Sequence, residues 1–74
     1  MAKPKLKAKM TAREMLLYLT KVEGWYEVPS GNRSHRQLEH PTKPGKVTIP
    51  WHGNGNEILP PKTQKTILRQ AGLL

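Results

Sequence analysis

Two of the chain's three histidines fall in the short stretch NRSHRQLEH, at positions 35 and 40. Histidine is the side chain best matched to proton transfer near neutral pH, with a free pKa of about 6.5. Arg33 and Arg36 flank His35. That grouping suits one reaction in particular, the attack of a ribose 2′-hydroxyl on its neighbouring phosphate. The reaction needs a base to take the hydroxyl proton and cations to stabilise the charged phosphorane. His35 as base or acid, with Arg33, Arg36 or a lysine as charge stabiliser, would make a minimal ribonuclease. The same residues also describe a solvated basic surface that happens to carry a histidine. His40, beside Pro41, reads as a structural hydrogen-bonding residue.

Metal chemistry has less to build on. The histidines lack HxH or HxxxH spacing, the sequence has no aspartate, and only five glutamates remain for a hard cation. A two-metal nuclease is not expected, and neither is any cofactor. A second group lies near the C-terminus. Lys62, Lys65 and Arg69 are three and four residues apart, so a helix sets them on one face, opposite Gln64, Ile67, Leu68 and Ala71. Such a stripe can track phosphates while the helix stays docked, or serve as an ordinary solvated surface.

The elements that must position these groups can be read from capping, periodicity and turn signals. TARE (11–14) is a capping box, followed by Ala12, Met15, Leu16, Leu19 and Val22 on one helical face, with Gly24 as the stop. WYEV (25–28) predicts a strand with Tyr26 and Val28 on the covered side, ended by a turn at PSGN. SHRQLEH (34–40) predicts a second strand with Leu38 inward. Arg36 and His40 share that parity, while His35, Gln37 and Glu39 face the other way. After a turn at PTKPG comes KVTIPW (46–51), with Val47, Ile49 and Trp51 inward. HGNGN is loop-like and mobile in composition. Pro60 and Pro61 open the last helix and Gly72 ends it. The fold class is therefore α+β, helix-strand-strand-strand-helix. Short turns make the three-stranded sheet antiparallel, and both helices cover one face because so small a chain has no second layer for the other.

At 74 residues and 35% hydrophobic content the chain holds one small core and no roomy cofactor pocket. Its formal net charge is +8, from 13 basic residues against 5 acids. Residues 1–9 read as a disordered basic arm ahead of a folded unit at 10–74. Without the arm's four lysines, nine basic residues still face five acids. A polyanion partner follows, nucleic acid ahead of membrane, since no basic amphipathic helix with a large apolar face is present. Cysteine is absent, which fits a reducing cytoplasm. The N-terminal stretch lacks the apolar segment of a signal peptide, and no run reaches membrane-spanning length. A soluble cytoplasmic protein is expected.

From Met10 to Leu74 the chain resembles the HicA-type messenger-RNA interferase toxins. GWYEV, SHRQLEHP, KVTIPWH and ILRQAGL carry the resemblance through their order and spacing. It implies a double-stranded-RNA-binding-like fold and RNA cleavage by one histidine, that of the Ser-His pair at the start of the second strand, here Ser34 and His35. It also implies a toxin–antitoxin pair, with a HicB-type antitoxin that binds the toxin and shields the histidine. The sequence departs from the family pattern at Arg33, where glycine is usual, at Arg36, where a second histidine often follows, and at Leu38, where an aromatic is usual. The rival expectation is a non-catalytic RNA-binding module using the first helix and the Lys62–Lys65–Arg69 stripe. A third is a protein whose main task is to bind an acidic antitoxin through its basic face.

Overall fold

Thr11 and Glu14 fix the start of the first helix. The Glu14 amide donates to Thr11 Oγ1 at 3.0 Å, and Glu14 Oε1 accepts from the Thr11 amide at 2.9 Å. This is the predicted capping box. The Lys7 ammonium binds the same carboxylate, and together with the Thr11 amide it holds the Glu14 carboxyl below its usual range. The computed structural model describes residues 6–74, in which this helix, α1, runs Ala12–Lys21. It is followed by β1 (Tyr26–Asn32), β2 (His35–Glu39), β3 (Val47–Pro50) and α2 (Pro61–Gln70). Of the arm expected over 1–9, residues 1–5 lie outside the described residues. Leu6 packs partly against the core, and the Lys7 carbonyl accepts from Gln64 Nε2 at 3.0 Å.

Ala12, Met15 and Leu19 are buried as the periodicity requires, and Leu16 is half-buried. Val22, placed on the same stripe, is instead the C-cap and is exposed, because the helix has already ended there. One turn on, the Tyr18 hydroxyl donates to the buried Glu23 carboxylate at 2.6 Å. That bond, then burial, raises the Tyr18 pKa above its usual value. A raised folded-state pKa gives stability that is complete below the unfolded value of about 10 and is lost as pH rises through the folded value. Tyr18→Phe should therefore cost about 1 kcal/mol at neutral pH. Urea unfolding compared at pH 8 and above pH 10 should show a smaller alkaline loss in the variant than in the parent.

The strands lie in the order β1-β2-β3, each pair antiparallel. Leu38 faces Val47, and Arg36 faces Ile49. Leu38, Val47, Ile49 and Trp51 form the covered face, with Met15 and Leu19 of α1, Ile67 and Leu68 of α2, and its C-cap Ala71 packed into the same core. The architecture matches the expected one, with the other face of the sheet left open.

Two details of β1 differ from the sequence reading. Leu38 is paired with Glu27, so the inward parity belongs to Trp25 and Glu27. Tyr26 is nearly half exposed, whereas Trp25 is almost wholly buried. The larger apolar side chain sets the phase of the strand. PSGN is also not the turn. Val28 pairs with Gln37 and Asn32 with His35, so β1 holds two more residues than β2 between these pairs. The chain absorbs Pro29, Ser30 and Gly31 as a bulge on an edge strand, where a proline costs no ladder bond. The turn itself is at Arg33 and Ser34.

The HGNGN loop is not the free segment its composition suggests. The carbonyls of Gly55 and Glu57 accept from the Arg13 and Ala12 amides at 2.8 and 3.2 Å, and so satisfy two donors that α1 leaves open. Trp51 Nε1 donates to the Gly53 carbonyl at 3.0 Å, and Gly55 is buried. At the other end of the core, Pro61 occupies the first turn of α2, as expected. Gln70 Oε1 accepts from the Thr48 amide at 3.0 Å, so α2 caps part of the outer edge of β3.

Candidate active site

His35 opens β2, the central strand, with Asn32 opposite on one side and Pro50 on the other. Asn32 shapes the approach, since its Oδ1 accepts from the Ser34 amide at 2.9 Å and from the His35 amide at 3.0 Å. This side-chain turn brings the chain round without needing glycine at 33. Trp51 N–H donates to the Ser34 carbonyl at 2.8 Å and ties the same point to the third strand. The imidazole is thus carried on backbone held from both sides, while the residue itself is exposed. As parity required, His35 lies on the open side and Leu38 on the covered side.

A cleft of about 330 Å³ gathers His35, Arg33, Arg36, Glu27 and Asn32. Arg33 is exposed in the turn. Arg36 is engaged on two sides. Its guanidinium lies 4.1 Å from the Trp51 ring centroid, and its Nη1 donates to both oxygens of Glu27 at 3.2 Å. The aromatic face and the carboxylate hold the fork in place, leaving donors of Nε and Nη2 not used on Glu27. Lys62, Lys65 and Arg69 are exposed along α2, opposite buried Gln64, Ile67 and Leu68, but do not line the His35 cleft.

His40 is built into the structure. Its Nδ1 accepts from the Thr42 and Lys43 amides at 3.1 and 3.2 Å, which requires that nitrogen to be unprotonated. Nε2 then carries the hydrogen and donates to the Glu23 carbonyl at 3.0 Å. Its ring also meets Trp25 edge-on, with centroids 5.2 Å apart. His52, the third histidine, is exposed at 3.7 Å from Glu57. Among the described residues no three His, Asp or Glu side chains are grouped so as to hold a metal ion.

The family model for the HicA toxin of bacterial toxin–antitoxin systems matches residues 12–73, most of the chain. The chain belongs to the HicA toxin family. It is accordingly the toxin member of a toxin–antitoxin pairing. A search of curated proteins returned no match. No helix of the described part of this HicA toxin is long and apolar enough to cross a membrane.

Sequence reasoning missed Glu27 and Asn32. The Asn32 signal was present, since Asn two residues before Ser is a recognisable side-chain turn. Glu27 became legible only with the register, because its meeting with Arg36 depends on the phase of β1.

Proposed function

We propose that this HicA toxin is a metal-independent endoribonuclease that cleaves messenger RNA by histidine acid/base catalysis and is neutralised by a HicB-type antitoxin in the cytoplasm. The observation that carries the reading is His35, exposed at the head of the central strand in a cleft with two arginines. In this reading His35 accepts the proton of the 2′-hydroxyl. The oxygen it activates attacks the adjacent phosphorus, and the 5′-oxygen leaves with a proton from the conjugate acid or from water. That sequence yields a 2′,3′-cyclic phosphate and a 5′-hydroxyl. Arg33 is the freer cation for the phosphorane, since Arg36 is already shared with Glu27 and Trp51.

The test is incubation of labelled RNA with the purified toxin in EDTA, beside a DNA strand of the same sequence. Cleavage should persist in chelator, leave a cyclic phosphate end and spare DNA. Activity that returns only with magnesium, or efficient cutting of DNA, would overturn the mechanism. RNA bound in EDTA but never cut would favour the non-catalytic RNA-binding alternative.

Lys62, Lys65 and Arg69 are assigned to the RNA backbone. Each phosphate contact contributes roughly one unit to the slope of log affinity against log salt. Neutralising all three should flatten that slope by up to about three units, with similar weakening across RNA sequences, because phosphate contacts position without reading bases. Deleting residues 1–9 tests the rival source. If the truncated protein lost its salt dependence and the triple variant kept it, the arm would be the RNA-contacting element.

A further inference from the structure

The Glu27–Arg36 pair has no role in the proton transfer assigned to His35, yet it lines the same cleft. Its parts come from neighbouring strands. Glu27 stands opposite Leu38 and Arg36 opposite Ile49, so the carboxylate and guanidinium share the parity of the covered face yet meet where it stays open to solvent. Each side chain keeps more than a third of its surface exposed, so the pair is open to a ligand. Trp51, itself nearly buried, supports the guanidinium from below. The contact to Glu27 comes from one nitrogen of Arg36 and leaves further donors on the fork and further acceptor capacity on the carboxylate.

We infer that Glu27 and Arg36 form a base-reading subsite for guanine beside the scissile phosphate. The inference rests on the ribonuclease reading above and adds a substrate preference to it. A carboxylate next to a guanidinium presents acceptors beside donors. Guanine's N1–H and N2–H₂ give two adjacent donors to the carboxylate, with O6 beside them for the arginine. Adenine, cytosine and uracil each offer the carboxylate a donor at only one position on that edge. The arginine fork also fits guanine O6 and N7, the commonest specific arginine–base contact. The cleft volume accommodates one nucleobase. His35 has the opposite parity to Arg36 but lines the same cleft at the start of β2, so the ribose and phosphate of the same nucleotide lie toward that end of the strand.

The experiment maps cleavage ends of the full chain on a random-sequence RNA, for the parent, Glu27→Gln and Arg36→Lys. The parent should enrich guanine over uracil at one position flanking the cut. Either substitution should reduce that ratio by roughly tenfold or more, the worth of a bidentate base contact. A thermal melt of each variant accompanies the mapping, and Glu27→Gln removes no apolar contact. Binding is read separately by NMR titration of the His35→Ala protein with guanosine 3′-monophosphate and uridine 3′-monophosphate. Tighter guanosine binding that needs Glu27 supports the subsite even where no cleavage is seen, so its failure and that of the ribonuclease reading are distinguishable. An unbiased cut pattern, enrichment of another base, or a guanine ratio unchanged in both variants overturns the inference.

Discussion

His35→Ala should abolish RNA cleavage, with a fall of at least about a hundredfold, the lower end of what a positioned general acid or base contributes. The variant should fold as the parent does. The imidazole is exposed and makes no hydrogen bond among the described residues, so its removal leaves neither a cavity nor an unsatisfied partner. Stability should stay within about 0.5 kcal/mol of the parent, as for surface substitutions generally. RNA affinity should persist too, because the α2 cations lie elsewhere. His40→Ala is the contrasting variant. It removes the acceptor for two backbone amides and a donor to the Glu23 carbonyl, and should cost about 1–3 kcal/mol while the folded fraction still cuts. Growth inhibition in cells and end-mapping in vitro should separate the two. Cleavage at the parent rate by His35→Ala would remove the catalytic assignment outright.

Much of this could be read from the chain because each signal was local. The Thr11–Glu14 box, the prolines opening α2 and the alternation of Val47, Ile49 and Trp51 act within a few residues, and the structure realises all of them. The face assigned to His35 followed from Leu38 by parity alone. The errors arose where a distant partner decided the outcome. Trp25 overrode the phase suggested by Tyr26 and Val28 because its larger apolar side chain is the one buried in the core. Pro29 and Gly31 resemble turn residues, but here they build a bulge, and the turn falls later because Asn32 folds back on the two amides after it. The HGNGN loop looked free until Arg13 and Ala12 supplied donors from the far end of the sequence. The site shows the same division. His35, Arg33 and Arg36 are adjacent in sequence and were nameable, whereas Glu27 joins them only through pairing of β1 with β2.

Gly31→Ala should damage both fold and site, and more than its small size suggests. A Cβ at this position would sit 2.6 Å from the His35 carbonyl oxygen, 3.1 Å from the Gln37 nitrogen and 3.3 Å from the Arg36 Cα. All three are backbone atoms, so no side chain can rotate away to make room. β1 and β2 would have to separate at the bulge, the point where Asn32 and His35 are paired. Overpacking of this kind costs about 1–3 kcal/mol. Gly45→Ala is the informative comparison. There the backbone is left-handed, φ +81, but nothing lies within 4 Å of the added methyl, so only the conformational cost of about 1–2 kcal/mol applies. Urea midpoints for the two variants could therefore be similar. Cleavage by protein that remains folded, measured at low temperature, should differ sharply. If His35 is the proposed acid/base group, moving it by about 1 Å should lose roughly a hundredfold in rate, whereas the Gly45 turn lies away from the cleft. If folded Gly31→Ala protein cut RNA as fast as Gly45→Ala, the bulge would be a passive irregularity of an edge strand. If it lost activity while keeping its α2-dependent RNA affinity, the close approach at Gly31 would be what holds His35 in register with its substrate.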